Sequence, residues 1–334
     1  MEGYLQLTEA VLTRTMASVS LTCRHVLVLL TVLILLALLR SAREARRVYL
    51  VDYRCHRPKA SSRVPLATFV EHTWFCVNGD EEAVDFNAKV LQRSGIGEDT
   101  AMPDSVHELP AGDASLGAMW GEIEAVLFPM VPDLLAANGV SPKSIDLVVS
   151  NCSLSCPTPS LSALLVNRLG LRSNVVTYSL SGMGCSAGLL AVDLVRDLMT
   201  VRKDLLALVV SMEAVGVNGY VGKVKSMMLA NCLFRMGGAA LLLSNRKRYR
   251  GASKYVLHHL VRTHLGHDDR AYGSVCHEPD EEGNVGVSLS RALLHVAGDA
   301  LRANITSLAP LVLPYTEQAK YAWSLAWRRL RRGG

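Results

Sequence analysis

The spacing of hydrophobic positions changes several times along the chain, and each change predicts a different element. From about Val19 to Leu39 the apolar residues are continuous, with VLVLLTVLILLALL as the core and only Arg24 and His25 interrupting the start. Such a run has no amphipathic period and, with snorkelling flanks, is about long enough for a membrane-spanning helix. Residues 4–13, YLQLTEAVLT, are too short and polar for a second span. From Val48 to Asp113 the pattern is mixed and punctuated by Pro58, Pro65, Pro103 and Pro110, which reads as a surface-crossing segment. Residues 115–137 return to a helical period and stop at Gly139. An alternation then begins. IDLVVS (145–150), VVTYSL (175–180), LLALVVSM (205–212), GGAALLLSN (237–245) and KYVLHHLVRTH (254–264) read as strands. Between the first three lie helical stretches, one opened by Thr158-Pro159 and closed by Gly170, the other LLAVDLVRDLM. A further helix is predicted over 288–308, before LAPLVLP breaks the pattern. Strands alternating with helices predict an α/β fold with a largely parallel sheet.

Charge refines the picture at the ends. Of 334 residues half are hydrophobic and 19% charged, and the formal net charge is +5. Much of the excess is local, in Arg40, Arg43, Arg46 and Arg47 after the apolar run and in Arg328, Arg329, Arg331 and Arg332 near the end. Local clusters suit an anionic membrane surface, and with few aromatics and no basic stripe through the fold, nucleic acid is excluded as a partner. A signal peptide is the competing reading of the N-terminus. Glu2 and Glu9 precede the run, and arginines rather than a small-residue cleavage site follow it, which favours a retained anchor over residues 1–47. The arginines place the remainder on the cytoplasmic side. The eight cysteines lack the spacing of a small disulfide scaffold and are read as mostly reduced. Cys152 and Cys156, spaced C-x3-C with no second pair nearby, read as a buried structural pair rather than a zinc site.

The most informative chemistry lies in Ser181-Gly182-Met183-Gly184-Cys185-Ser186-Ala187-Gly188. A strand ends, glycines permit a tight turn, and Cys185 falls where the next helix begins. A helix N-terminus stabilises a thiolate through its dipole and free N–H groups, so a nucleophilic cysteine belongs there. The small neighbours Gly184 and Ser186 leave room for a bulky thioester, and the backbone N–H groups suit an oxyanion. On these residues alone a buried cysteine in an ordinary strand–turn–helix fits equally well. His258, His259 and His267 with Asp268 suggest a metal cluster, but a solvated polar strand end accounts for them better.

Longer motifs settle that choice. The stretch NCSLSCPTPSLSALLVNRLGLRSNVVTYSLSGMGCSAG resembles the central signature of the plant 3-ketoacyl-CoA synthases, the condensing enzymes of fatty acid elongation. KSMMLANCLFRMGGAALLLSN, KYVLHHLVRTHLGHDDRAYGSV and GVSLSRALLHVAGDALRANITSLAPLVLP follow in that family's order, and with VDYRCHRP the resemblance covers roughly residues 48–318. It implies a thiolase-like layered αβαβα core, of which this chain holds the first half and the connecting region, preceded by the N-terminal transmembrane helix. It implies that Cys185 accepts the acyl group of a long-chain acyl-CoA, and that malonyl-CoA, decarboxylated, attacks the acyl-cysteine. The product is a 3-oxoacyl-CoA two carbons longer. Gly184 and Ser186 would then lie against substrate. Gly237 and Gly238 match a glycine pair that closes a turn after NCLFRM, as structural support more than substrate contact. Asn231 and Arg235 belong to the same motif without an assignable role. His264 falls on a recurring histidine and is a supporting candidate, though a packed or surface histidine fits as well. The resemblance implies no metal and no cofactor. It places the protein in the endoplasmic reticulum membrane facing the cytosol, with membrane lipid, other elongase subunits and a homo- or heterodimeric copy as partners. The sequons Asn151-Cys152-Ser153 and Asn304-Ile305-Thr306 are accordingly expected to carry no glycan.

In this family the thiolate's partners are a histidine and an asparagine in His-Ala-Gly-Gly-Arg and Arg-Phe-Gly-Asn type segments, and neither segment occurs here. Residues 319–334 read as a basic tail. Three expectations follow: a truncated record or splice form, a non-catalytic membrane partner of a full-length condensing enzyme, or a working enzyme that recruits His264 or a partner's residues. A soluble type III polyketide synthase is a nearer alternative, opposed by the apolar run and by NCLFRMGG and VRTH.

Overall fold

A computed structural model describes residues 29–36, 47–107 and 113–332. The strand β2 (Leu147–Asn151) is buried along its whole length, as a continuous apolar run in a central strand requires. It pairs in parallel with β3 (Val176–Leu180) on one side and β4 (Leu206–Glu213) on the other, Leu147 lying opposite Val176 and Ala207. Beyond β4 the direction reverses. β5 (Gly237–Ser244) runs antiparallel to β4 from Leu206↔Ser244 to Glu213↔Gly237. β1 (Val48–Cys55) is antiparallel to β5, and β6 (Tyr255–Leu257) is antiparallel to β1. The order β3-β2-β4-β5-β1-β6 is therefore a mixed sheet, not the largely parallel one expected. Apolar runs report burial on two faces; they do not report strand direction.

The strands present alternate residues to two cores. Leu206, Leu208 and Val210 of β4 pack with Val148, Ala240 and Leu242 against α3 (Leu116–Ala137) and α4 (Leu161–Leu169). Ala207 and Val209 pack with Leu147, Val149 and Leu243 against Ala191, Val195 and Met199 of α5 (Ala187–Val201). Helices thus cover both faces, an α/β/α arrangement in which each fully buried Leu or Val contributes about 1.5–3 kcal/mol. A third cluster joins Phe69 of α1 (Leu66–Cys76) and Leu91 of α2 (Glu81–Ser94) to Cys232 of α6 (Lys225–Leu233). These first two helices and β1 fall where the pattern read as a surface-crossing segment. The prolines lie outside them, Pro65 at the N-cap of α1, and Asp80 caps α2 by accepting from the Ala83 N–H at 3.0 Å.

The expected strand over 254–264 forms only at its first residues. Side chains of neighbouring helices take the later backbone groups instead: Arg196 Nη1 donates to Leu260 O at 3.2 Å, and Asn304 Nδ2 donates to Val261 O at 2.9 Å. After the short α7 (Asp269–Tyr272) comes the hairpin β7 (Val275–Pro279) and β8 (Val285–Leu289), and the helix expected over 288–308 starts a few residues later, after the hairpin ends. Helix α8 (Leu293–Val312) runs through Pro310, and α9 (Tyr315–Arg332) holds most of the segment read as a tail. Residues Met1–Arg47 and Val48–Gly334 separate as two units. In the first, residues 29–36 are helical with their apolar side chains exposed. Among the described residues no helix is long and apolar enough to cross a membrane, and most of the Val19–Leu39 run lies outside them.

Candidate active site around Cys185

Cys185 follows the carboxyl end of β3 and precedes α5. Gly182 and Gly184 adopt φ of +68° and +61°, the left-handed region that glycine enters without strain. They fold the chain into a tight turn, Gly184–Ser186, that delivers Cys185 to the start of the helix. The thiol side chain is exposed, so the alternative of a buried structural cysteine is not what the fold holds. Ser186 Oγ donates to Met183 O at 3.1 Å, and no side chain caps the helix that follows. Its first N–H groups therefore stay available near the sulfur. The helix end sits close on the sheet, since a Cβ at Gly188 would lie 3.2 Å from Ser211 Oγ. Below the turn, Asn151 Nδ2 donates to Ser211 Oγ at 3.0 Å and the Cys152 N–H donates to Leu180 O at 3.3 Å, tying the three parallel strand ends together.

Glu213, at the end of β4, organises the loop after β2. It accepts from the Ser153 N–H at 2.7 Å, the Leu154 N–H at 3.0 Å and the Cys152 thiol at 3.3 Å. Burial, with the Glu213 charge beside it, pushes the Cys152 thiol up to about 12, so it remains a protonated donor. Cys156 is exposed, and the expected buried pair is thus a single buried thiol. Glu122 of α3 does the same for the loop after β4, accepting from the Val215 and Gly216 N–H groups at 2.9 and 3.0 Å, with burial raising its carboxyl above the usual range.

Gly237 and Gly238 are the first residues of β5, not a turn. A Cβ at Gly238 would lie 2.6 Å from Val126 Cγ1 of α3, so only glycine lets helix and sheet approach there; at Gly237 the same position is open. Asn231 and Arg235 receive structural roles that the sequence left blank. Asn231 brackets Tyr220, accepting its N–H at 3.0 Å and donating to its carbonyl at 2.6 Å. Arg235 donates to Asn231 O and Phe234 O at 2.9 and 2.7 Å and stacks over the Phe69 ring at 4.7 Å. His264 is exposed, and its Nδ1 accepts from the Gly266 N–H at 3.1 Å; its described hydrogen bond is local and does not reach the Cys185 turn. His258, His259 and His267 are exposed, and Asp268 caps α7.

An apolar tunnel for the acyl chain is expected of a condensing enzyme, but its lining is not readable from the sequence. A cavity of about 150 Å³ lies under the loops that follow β2 and β4, at the end of the sheet where Cys185 follows β3. Phe69, Cys76 and Val77 of the α1 region line it together with Leu154, Val215 and Met228. Tyr220 closes one side, its hydroxyl donating to Asp280 at 2.6 Å and pushed up to about 12 by burial and that carboxylate. Phe69, His72, Thr73, Cys76 and Asn87 of this wall come from helices that the proline-punctuated pattern concealed.

The chain matches the family described as FAE1/Type III polyketide synthase-like protein over residues 40–330. It is 50% identical over 282 residues to 3-ketoacyl-CoA synthase 7 of Arabidopsis thaliana, covering 84% of this chain and 61% of that one. Against 3-ketoacyl-CoA synthase 5 of the same plant the identity is 47% over 285 residues, covering 85% and 58%. The chain thus spans 58–61% of the length of these relatives. Among solved structures it is similar to the C-terminal type III polyketide synthase domain of Steely1 from Dictyostelium, with TM-score 0.62, 18% identity, and coverage of 78% of this chain and 73% of that one. Germicidin synthase from Streptomyces coelicolor gives TM-score 0.59 at 18% identity, over 78% and 76%. These structures fix the fold as an α/β thiolase-like one. With most of its length matched and half of the aligned residues identical to a curated relative, the chain belongs to the FAE1/type III polyketide synthase-like family.

Proposed function

We propose that this protein acts as a very-long-chain 3-oxoacyl-CoA synthase, with Cys185 as the acyl-accepting nucleophile. The observation that carries the reading is an exposed thiol in a left-handed glycine turn at an uncapped helix start, within a chain half identical to a 3-ketoacyl-CoA synthase. The Cys185 thiolate attacks the carbonyl of a long-chain acyl-CoA, and the CoA thiolate leaves with the proton that the cysteine gives up. Backbone N–H groups at the start of α5 face the oxyanion that forms in between. Loss of CO2 from malonyl-CoA then leaves a carbon nucleophile that attacks the acyl-cysteine and releases the thiolate. Gly184 and Ser186 keep the approach to sulfur open. The cavity lined by Phe69, Leu154 and Met228 lies at the same end of the sheet and offers apolar surface to an alkyl chain, at about 0.8 kcal/mol per buried methylene. His264, whose Nδ1 accepts from the Gly266 N–H, is given a supporting part.

Substrates with long alkyl chains reside in membrane, and the Val19–Leu39 run is read as the anchor that brings the enzyme to the endoplasmic reticulum with its catalytic unit in the cytosol. Elongase subunits and a second condensing-enzyme chain are its expected partners. The test is a microsomal condensation assay with labelled malonyl-CoA and long-chain acyl-CoA, in a host lacking its own elongases. Labelled 3-oxoacyl product that disappears in Cys185→Ala supports the reading. Stable expression with no cysteine-dependent product overturns it in favour of a non-catalytic partner.

A further inference from the structure

Helix α9 (Tyr315–Arg332) pairs exposed aromatic residues with a one-sided charge. Trp323 and Trp327 stand one turn apart on one face, 72% and 50% exposed, with Ala319 and Ala326 beside them. Tyr315 is 89% exposed at the helix start. The helix sequence carries five basic residues, Lys320, Arg328, Arg329, Arg331 and Arg332, against one acid, Glu317, which pairs with Lys320 at 2.7 Å. Arg331 places its guanidinium 5.3 Å from the centre of the Trp327 ring. A helix of this length is too polar to span a bilayer, yet it exposes large rings that water solvates poorly. Tryptophan, tyrosine and arginine side by side match the layer where acyl chains meet headgroups, the rings sitting among the upper methylenes and the cations among phosphates. Pairing with a second copy would instead bring two clusters of arginines together.

We propose that α9 lies in the plane of an anionic membrane surface, with Trp323 and Trp327 inserted and Arg328 and Arg331 on phospholipid headgroups. The contact is separate from the Val19–Leu39 run and does not depend on Cys185 chemistry. It sets one side of the catalytic unit against the bilayer, and the juxtaposition that carries it is two exposed tryptophans beside exposed, acid-free arginines.

The experiment uses the full chain reconstituted into vesicles of phosphatidylcholine alone or mixed with phosphatidylserine, each doped with lipid brominated high on the acyl chain. Arg40, Arg43, Arg46 and Arg47 also favour anionic lipid, so α9 is read by comparing its variants with the parent in the same vesicles. The expected result is quenching of tryptophan emission in the anionic vesicles that is lost in Trp323→Phe/Trp327→Phe and in Arg328→Glu/Arg331→Glu, and retained in Arg328→Lys/Arg331→Lys. It should weaken at 1 M salt, where the screening length falls to about 3 Å. Quenching equal in neutral and anionic vesicles, or none at all, overturns the proposal. So does an emission shift of Trp323 and Trp327 that follows protein concentration instead of lipid charge and persists in Leu301→Glu/Ile305→Glu, which would mean that α9 itself pairs.

Discussion

At the scale of single residues, the thiols separate by environment. Cys152 and Cys232 are buried, and burial pushes them up to about 12 and about 11. Cys185 is exposed at a helix start. Iodoacetamide at neutral pH should therefore alkylate Cys185 in the folded chain and spare Cys152 and Cys232, which react only after denaturation; peptide mass spectrometry reads all three. Modification of Cys152 before Cys185 would sink the assignment of roles. The glycine pair gives a second contrast. Gly238→Ala forces a methyl to within 2.6 Å of Val126 Cγ1, where the core has no room, and should cost about 1–3 kcal/mol in urea unfolding. Gly237→Ala meets open space and should be neutral or slightly stabilising. The sequence marked both glycines alike, because a motif records that a glycine recurs and not which neighbour demands it. Cys185 was legible for the opposite reason. The strand, the two glycines and the helix start are all local, so the turn can be read from eight consecutive residues, whereas the thiol's exposure rests on packing that those residues do not record.

At the scale of elements, β1 shows what pattern reading loses. VYLVDYRC lies in the stretch that reads as surface-crossing and carries Asp52 and Arg54, yet both are satisfied in place. Asp52 accepts from Arg54 Nη1 at 2.7 Å and from Asn138 Nδ2 at 3.0 Å, and it pairs with Lys254 beside β6. Burial alone would raise its carboxyl, but Lys254, Asn138, the Tyr53 N–H and Arg54 together outweigh that and hold it well below the ordinary value of 3.8. A depressed acid stabilises the fold fully above its unfolded value and loses that contribution as pH falls from there through its folded value. Asp52→Asn should thus cost about 2 kcal/mol at pH 7 through lost charge-assisted hydrogen bonds, and clearly less at about pH 2, well inside that window. Urea midpoints at the two pH values check this, and an equal penalty at both would remove the ionic explanation. Strands β2, β4 and β5 were legible as largely apolar runs and β3 as a short run ending at glycines, whereas α1, α2 and β1 owe their places to caps, ion pairs and distant partners. The direction of β5 was not legible, since an apolar run pairs equally well either way.

At the scale of the whole molecule, burial is uneven. The sheet is covered on both faces near β2 and β4, whereas Thr177, Tyr178 and Ser179 of β3 are exposed and α8 has no fully buried residue. Leu294, Leu301 and Ile305 of α8 are 82%, 60% and 52% exposed. Scattered exposed leucines are ordinary, but three at helical spacing along one helix form apolar surface of the kind that recruits another surface. The chain should therefore enhance the fluorescence of a hydrophobic dye while folded, and should associate as its concentration rises. Leu301→Glu/Ile305→Glu discriminates the cause. These side chains contribute little to the core, so the double variant should unfold within about 1 kcal/mol of the parent, since exposed substitutions are usually worth less than 0.5 kcal/mol each. It should nevertheless lose dye binding and shift towards monomer in sedimentation velocity. If stability falls by several kcal/mol instead, α8 is packed in solution, and the surface available to partners must be sought along the β3 edge. If neither property changes, the dye and the second chain are using the β3 edge already, and α8 serves only to carry the chain from the β7–β8 hairpin to α9.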